Sequence, residues 1–401
     1  MDVIRLALAS LCFVTAWSGV AGQAIGPSGV PVPNLADTIE RPMRYRPDGR
    51  DFVIRDGTEF FNRPLYGRNT AFRVDAGDRP EFLLYLPGRG GNLRLGLRTA
   101  GAAKWLHQAV SIEARYRPGE MHYEIRDPLL GAGGVLRLVA VPMHETDGLV
   151  VRMAAEGTKA AVRVQYAFGG VSGQRGRRDG DIGTEALPIG DYFQLRTEVC
   201  SKDRVELADV GFLVRGRSAT ILGILPEHAT AVVASSVRWG DPVALSGNPE
   251  PDAAAPVVTG EFPLPGADMP VYLGLQRVDG YSPLVVSEDL ATYRDVTAPR
   301  AGAAGPATIP LRAPYGRAEI PEAFGAAQAH YERIRSHVRI ETPDPYLNAA
   351  VAALNIAADA VWDEPQQAIM HGAIAWRTRL LGWRGPYAMD ALGWHERARA
   401  H

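Results

Sequence analysis

Short apolar runs separated by polar turns dominate the chain from about residue 51 to residue 286. In AVSIEARYRPGEMHYEIRD, apolar and polar positions alternate on both sides of a Pro-Gly pair, which is the pattern of a β-hairpin. The segment FRVDAGDRPEFLLYLPGRGGNLRLGL holds further runs around the turn residues of GDRP and GRGGN. Helical periodicity is not evident here. The pattern predicts an antiparallel β-sandwich of many strands.

The pattern changes after Tyr293. Residues 297–318 are rich in Ala, Pro and Gly and predict a linker, and a helical period begins with EAFGAAQAHYERIRSHV. In TPDPYLNAAVAALNIAADAVWD, Asp344 can cap the first helical turn, and Pro345 suits the first helical position. The larger apolar residues of this helix recur at helical spacing: Leu347, Val351, Leu354 and Val361. Because Ala fills most other positions, we expect the helix to be buried on nearly every side.

The N-terminus, MDVIRLALASLCFVTAWSGVAGQA, has the pattern of a secretory signal peptide. Arg5 precedes the apolar stretch Leu6–Val20, and small residues follow at cleavage positions. We therefore expect residues 1–24 to be a signal peptide and the protein to be exported, to the periplasm or the extracellular space, with no membrane association after cleavage. An uncleaved anchor is the alternative. The remaining chain is predicted to divide into a β-sandwich domain (25–296), a linker (297–318) and a helical domain (319–401).

The composition of the chain limits the classes of binding partner that we expect. The chain has 401 residues, 46% hydrophobic and 22% charged, which is typical of a globular protein. A formal net charge of -2 argues against nucleic acid and anionic membranes as partners. Cys200 loses its only possible disulfide partner if Cys12 leaves with the signal peptide, so we expect it to be a buried small apolar residue. No residues show metal-ligand spacing, and no metal or cofactor is predicted.

The last 22 residues, LLGWRGPYAMDALGWHERARAH, concentrate side chains that suit sugars. Aromatic faces stack on the C–H faces of sugar rings, and Arg, Asp and His bind hydroxyl groups. A helix beginning near Tyr387 would place Asp390, Trp394 and Arg397 on one face, at positions i, i+4 and i+7. The alternative is that the aromatic residues form core and that Asp390 is a first-turn carboxylate favoured by the helix dipole.

Two segments, FNRPLYGRNTAFRVDAGDRPEFLLYLPGRGGNLRLGL and MHGAIAWRTRLLGWRGPYAMDALGWHERA, resemble a family of exported bacterial proteins with a domain of unknown function. Those proteins are similar to six-hairpin glycosidases, in which an N-terminal β-sandwich and a linker precede an (α/α)6 toroid. TPDPYLNAA resembles the first toroid helix of several such families. GWRGPYAMDALGW resembles the loop that holds the sugar at the cleavage point, although the family tends to have Gly where Met389 stands.

The resemblance implies ligand-binding roles for Trp383, Arg384 and Asp390. The other aromatic residues of the region complete the candidate substrate-binding set: Trp376, Tyr387 and Trp394. The fold expected from pattern and resemblance together is multidomain, β then α. It consists of an N-terminal antiparallel β-sandwich, a linker and the first helices of an (α/α)6 toroid.

The toroid is expected to be incomplete in this chain. Twelve helices with their connections need roughly 170 to 240 residues, whereas about 80 follow the linker. Glycosidases use a pair of carboxylates about 5–9.5 Å apart. The catalytic acid of related toroids comes from a later hairpin, so the catalytic residues of this chain are unknown and are expected beyond His401.

The first functional hypothesis is a carbohydrate-active protein, the N-terminal part of a six-hairpin-type glycoside hydrolase. It would act on a poly- or oligosaccharide by general acid/base hydrolysis and would be inactive as this fragment. A non-catalytic glycan-binding protein is the alternative. A polysaccharide lyase is a third hypothesis, which the domain order disfavours because the toroid comes first in lyases.

Overall fold

Between Arg46 and Arg277, the described residues are mostly strands, which pair into two large antiparallel sheets. The computed structural model describes residues 43–85, 89–158, 161–173, 189–217, 219–264, 266–279, 312–373, 379–380 and 382–401. The predicted signal peptide lies outside these residues, as does most of the predicted linker. Contacts group Tyr45–His401 into one compact unit.

Eighteen described strands form the two sheets. Their bounds are β1 (Arg46–Asp48), β2 (Asp51–Arg55), β3 (Arg63–Tyr66), β4 (Arg73–Ala76), β5 (Glu81–Tyr85), β6 (Arg89–Arg98), β7 (Ala103–Trp105), β8 (Ser111–Arg117), β9 (Glu120–Arg126), β10 (Val135–Pro142), β11 (Gly148–Glu156), β12 (Arg163–Gly169), β13 (Arg204–Ala208), β14 (Gly211–Arg215), β15 (Thr220–Ile224), β16 (Val232–Ser235), β17 (Pro256–Pro263) and β18 (Val271–Arg277).

Within the described residues, one sheet has ten strands in the order β1-β2-β8-β9-β10-β11-β18-β15-β14-β13. The other has eight strands in the order β16-β17-β12-β6-β5-β4-β3, with β7 alongside β6. The predicted Pro-Gly hairpin is confirmed, since β8 and β9 pair from Ser111↔Arg126 to Arg117↔Glu120. The antiparallel β-rich architecture predicted from the apolar pattern is therefore present.

One predicted turn is wrong. Arg89–Asn92, from the GRGGN segment, belongs to β6 and pairs with β5, and Asn92 also pairs with Gly169 of β12. The turn chemistry of Gly and Asn is overridden because the backbone groups of this stretch find partners in the ladders on its two sides.

The main core lies between the two sheets. Alternate residues of each strand point inward, so that apolar side chains of one sheet meet those of the other. The ring of Phe82 meets that of Tyr123 with centroids 6.0 Å apart, and the ring of Phe168 stacks on Phe212 at 5.6 Å. Each of these contacts joins the eight-stranded sheet to the ten-stranded one.

Helices follow the sandwich and add one layer to it. Two short helices, α1 (Ile189–Tyr192) and α2 (Pro242–Gly247), interrupt the strands. After them come α3 (Ile320–Arg335), α4 (Pro345–Ala360), a small hairpin of β19 (Trp362–Asp363) and β20 (Ala368–Ile369), α5 (Arg384–Ala391) and α6 (His395–Ala400). The apolar face of α3 packs on the outer face of the ten-stranded sheet, where Phe324 meets the ring of Tyr272 at 5.5 Å.

The start of α4 is confirmed, and its expected burial is wrong. The carboxylate of Asp344 accepts hydrogen bonds from the backbone N–H groups of Tyr346 and Leu347, and Pro345 occupies the first turn. However, the side chains of Leu347 and Leu354 are 53% and 63% exposed. The helix packs on α3 and on strands β1–β3 through its small residues instead, because these allow the backbones to approach closely.

Candidate functional site

The helix α5 presents three of the predicted residues on one exposed face. Trp383 has helical backbone angles at the N-cap, so Trp383, Tyr387 and Asp390 stand at positions i, i+4 and i+7. Trp383 is 67% exposed and Tyr387 is 65% exposed. Their rings meet edge to face, with centroids 5.1 Å apart and planes at 76°. We call Trp383, Tyr387 and Asp390 the α5 face.

The opposite side of α5 explains this orientation. Met389 is buried and packs with Trp362 and Ile369. A Cβ atom at Gly385 would lie 3.1 Å from Cδ1 of Ile369, so the absence of a side chain lets the helix approach the β19–β20 hairpin. The two anchors hold one side of α5 against the protein, and the other side remains in solvent. The interpretation of Trp383 and Tyr387 as core residues is therefore wrong.

The predicted stripe of Asp390, Trp394 and Arg397 on a single helix is also wrong. The helix begins at Arg384 and ends at Ala391, and Gly393 adopts a left-handed φ of 77°. The N–H of Gly393 donates to the carbonyl of Asp390, and that of Trp394 donates to the carbonyl of Met389. This is the Schellman arrangement that glycine permits after a helix, and it separates α5 from α6.

Asp390 has a specific partner at the end of α5. Its Oδ1 atom is hydrogen-bonded to Nδ1 of His395 at 2.9 Å, and both side chains are exposed. Asp390 lies in the last turn of α5, where the helix dipole disfavours a carboxylate, so the first-turn explanation is wrong. Arg384 is about 100° from Trp383 around the helix. Its exposed side chain makes no hydrogen bond or ion pair with any described residue.

The predicted residue Trp394 lies in a different environment. It is half-buried and stacks on the ring of His337, with centroids 4.9 Å apart. The guanidinium carbon of Arg397 lies 5.0 Å from the Trp394 ring centroid and 5.5 Å from that of Trp362. Trp376, another predicted binding residue, lies outside the described residues. The structure thus brings Trp383, Arg384, Tyr387 and Asp390 together on α5 and places Trp394 beside that helix.

Sequence reasoning missed the contribution of the sandwich to this region. Asn69, in the loop between β3 and β4, donates from Nδ2 to the backbone carbonyl and to the carboxylate of Asp359, at 2.6 and 3.1 Å. Asp359 in turn accepts from Arg397 Nη1 at 2.8 Å. We call Asn69, Asp359, Arg397, Trp362 and Trp394 the Asp359 cluster. Its members are up to about 330 residues apart in the sequence, so no local pattern could have connected them.

A pair of histidines lies next to this cluster. His330 on α3 stacks on His144, from the loop between β10 and β11, with ring centroids 5.0 Å apart. Burial is the main reason why the pKa of His330 is lowered to about 4. The neighbouring His144, Arg333 and Arg397 lower this pKa further, whereas the carboxylate of Asp359 raises it. The imidazole of His330 is therefore neutral at neutral pH.

The other sequence expectations concern chemistry away from α5. Cys200 is a free, buried thiol whose pKa is raised to about 12, first by burial and then by Asp203. This confirms the prediction of a buried cysteine, and a thiol with a raised pKa is a poor nucleophile. No three His, Cys, Asp or Glu side chains among the described residues are grouped so that they could hold a metal ion. In the described part of the chain, none of the helices has the length and apolar character needed to cross a membrane.

Comparison with known proteins gives a family and a likeness to solved structures. Residues 86–293 match the model of a family described as Domain of unknown function (DUF4450). The matched segment covers β6 to β18, and the α5 face lies outside it. No curated protein matches the sequence. Among solved structures, the chain is similar to the crystal structure of a bacterial glucoamylase complexed with acarbose, at 8% identity and a TM-score of 0.49.

The alignment with the glucoamylase covers 86% of this chain and 50% of that protein. The chain therefore spans about half the length of the solved structure that it matches.

Proposed function

The chain belongs to the DUF4450 family, and we propose that it is a carbohydrate-active protein, the N-terminal part of a six-hairpin-type glycoside hydrolase, which holds a poly- or oligosaccharide on the α5 face. One observation carries this proposal. Two large aromatic side chains, Trp383 and Tyr387, are mostly exposed and in contact with each other. The carboxylate of Asp390 and the exposed guanidinium of Arg384, which makes no ion pair with a described residue, lie on the same helix.

The physical case rests on the cost of exposing these rings. Aromatic side chains carry large apolar surfaces that folding normally buries, and Trp and Tyr dominate the energetics of many interfaces. The planes of Trp383 and Tyr387 are nearly perpendicular, so together they form a corner. A sugar ring would stack its C–H face on one ring and contact the other with its edge.

Polar groups beside the corner would bind the hydroxyl groups of the sugar. Arg384 has its donors free among the described residues. Asp390 uses Oδ1 for His395, while its Oδ2 atom makes no hydrogen bond with a described residue and can accept one from a hydroxyl. Charged hydrogen-bonding groups of this kind give orientation, and the aromatic rings give affinity.

In the proposed hydrolase, α3 to α6 are the first helices of the toroid. A carboxylic acid would protonate the glycosidic oxygen, and a second carboxylate would activate water or attack the sugar. We assign neither role to a residue of this chain. Arg384, Asp390 and the aromatic corner are substrate-binding residues in this proposal.

Isothermal titration of the exported protein against plant and microbial oligosaccharides tests the binding site. Trp383→Ala and Tyr387→Ala are expected to weaken binding of the best ligand by about tenfold or more each, because aromatic anchors contribute above 1 kcal/mol. Val237→Ala is the control, since Val237 is 75% exposed and lies on a short helical turn of the sandwich. Unchanged affinity in both aromatic variants would remove the α5 face from the site.

The same ligand distinguishes the hydrolase from its alternatives. Release of reducing ends without an unsaturated product would support hydrolysis. The cleavage assay uses the native exported protein at whatever length it has, since this chain alone is expected to bind without cleaving. Binding without any cleavage by that native protein would favour a non-catalytic glycan-binding protein, and an unsaturated product would favour a lyase. Absence of heat with every oligosaccharide would contradict the carbohydrate assignment.

A further inference from the structure

The loop between β3 and β4 holds Asn69 in an unusual backbone conformation. Its φ is +23°, in the region that L-residues rarely adopt and that Asn tolerates better than most. Residues in such conformations persist when the surrounding structure determines them, and they are frequent at functional sites. The contacts of Asn69 identify what determines its conformation.

Asn69 connects the sandwich to two elements of the helical layer. Its side-chain amide donates to the carbonyl and the carboxylate of Asp359, near the end of α4. Its own carbonyl accepts from the N–H of Glu364, in the turn between β19 and β20, at 2.8 Å. One residue of the β3–β4 loop therefore sets the position of α4 relative to the β19–β20 hairpin.

The contacts continue from Asp359 and Glu364 to two tryptophans. Asp359 orients Arg397, whose guanidinium lies near the rings of Trp362 and Trp394. Glu364 accepts from Nε1 of Trp362 at 2.7 Å. Trp362 is thus held both through its indole N–H and through its ring.

Trp362 is also part of the surface on which α5 rests. It is 2% exposed and packs with Ile369 and with Met389, the buried anchor of α5. The contacts therefore run from Asn69 through Asp359 and Trp362 to Met389. Across the helix from Met389 lies the α5 face.

We infer that Asn69, a residue of the β-sandwich, is a positioning residue that holds the α5 face in its binding geometry. This inference rests on the proposed function and gives the sandwich a role in the glycan site. The side-chain amide is the group that matters, because its Nδ2 donates one hydrogen bond to the backbone carbonyl of Asp359 and another to its carboxylate. Among the described residues, loss of the amide would leave the carboxylate of Asp359 hydrogen-bonded only to Arg397, and it would loosen the support under Trp362.

Two variants separate the amide from the backbone conformation. Asn69→Ala removes the amide and makes the left-handed backbone conformation less favourable, whereas Asn69→Gly removes the amide and relieves the strain. Asn248→Ala is the matched control, because Asn248 also donates its side-chain amide to a backbone carbonyl, that of Ala244 at 2.7 Å, but lies at the end of α2.

Hydrogen–deuterium exchange of the full chain without ligand is the first readout. In both Asn69 variants, amides of residues 362–369 and 384–391 are expected to exchange about tenfold faster, which corresponds to the loss of one ordinary hydrogen-bond contribution. Exchange in α3 is expected to stay at the wild-type rate, since the apolar face of α3 is held mainly by the outer face of the ten-stranded sheet. Asn248→Ala should leave all three segments unchanged.

Glycan affinity is the second readout, because a purely structural role would leave it unchanged. Both Asn69 variants are expected to bind the best oligosaccharide about fivefold more weakly, since a loosened face must be ordered on binding. Wild-type exchange of residues 384–391 in both variants would overturn the inference. Recovery by Asn69→Gly alone would also overturn it, because the backbone would then be the cause. If wild-type protein binds no glycan, the proposed function fails, and exchange still decides whether Asn69 positions α5.

Discussion

The guanidinium of Arg335 on α3 donates to the carboxylate of Glu120 on β9 at 2.7 Å, and both side chains are buried. Arg335 also donates to the carbonyl of Pro118 and to the carboxylate of Glu332. This pair fixes α3 on the outer face of the ten-stranded sheet. Because both side chains are almost completely buried, solvent and salt screen this ion pair little.

Arg335→Ala is expected to lower the free energy of unfolding by about 3–5 kcal/mol, because it leaves the Glu120 carboxylate buried without its cation. Urea denaturation followed by circular dichroism measures the change. Arg215→Ala is the control, since Arg215 and Glu206 form an exposed pair in the sandwich. Equal stabilities of the Arg335 variant and the wild type would show that α3 is held by apolar contacts alone.

The pKa of Glu120 predicts how the stability of the protein changes at acidic pH. Burial raises its pKa, but the hydrogen bonds and charges of His122, Arg335 and Gln328 outweigh burial and lower the pKa to about 2, from an ordinary value of 4.5. Because the folded state binds the proton more weakly than the unfolded chain, this stabilisation is complete above about pH 4.5 and is lost as the pH falls to 2.

The expected loss from this group is about 3 kcal/mol between pH 5 and pH 2. Denaturant midpoints measured across that range should fall steeply for the wild type and less steeply for Glu120→Gln. The Gln variant should be less stable at neutral pH, where it lacks the ion pair. Parallel curves for the two proteins would contradict the assignment.

The pKa of His330 predicts a second change in stability, at a higher pH than that of Glu120. Its pKa is about 4 in the folded protein, below the ordinary 6.5, because burial disfavours the charged imidazole. The unfolded chain therefore takes up a proton first, and stability should decrease as the pH falls from 6.5 to 4. His330→Asn is expected to reduce the slope of the stability curve in this window, where His107 also contributes because its pKa is lowered to about 3, and to leave the lower window of Glu120 intact. An unaltered slope between pH 6.5 and 4 would exclude His330 as the cause.

Cys200 should be unreactive until the sandwich unfolds. Burial raises its pKa to about 12, so almost no thiolate exists at pH 8, and no solvent reaches the sulfur. Iodoacetamide labelling followed by mass spectrometry of the Cys200 peptide is expected to show no modification of native protein and complete modification in denaturant. Rapid labelling of the native protein would mean that the apolar cluster around Trp105 and Trp239 opens readily.

Local patterns predicted the elements well where short-range chemistry decides them. The β8–β9 hairpin follows from alternation around Pro118 and Gly119, and the start of α4 follows from Asp344 and Pro345. The prediction failed for the GRGGN segment because strand pairing with β5 and β12 overrides turn preference. It also failed for the helix thought to begin near Tyr387, because one residue, Gly393, ends α5 before Trp394.

By itself the sequence determined that a strand-rich region precedes the helices, since this order depends on residue type and spacing along short stretches. The candidate sugar-binding residues stay a prediction, which rests on residue type and on the family resemblance. Only the tertiary structure decided which side of α5 is exposed, because burial of Met389 depends on Trp362 and Ile369. It also decided that Asn69 meets Asp359, two residues that are distant in sequence. Such contacts form when whole strands and helices pack together, so they cannot be predicted from the periodicity of a short segment.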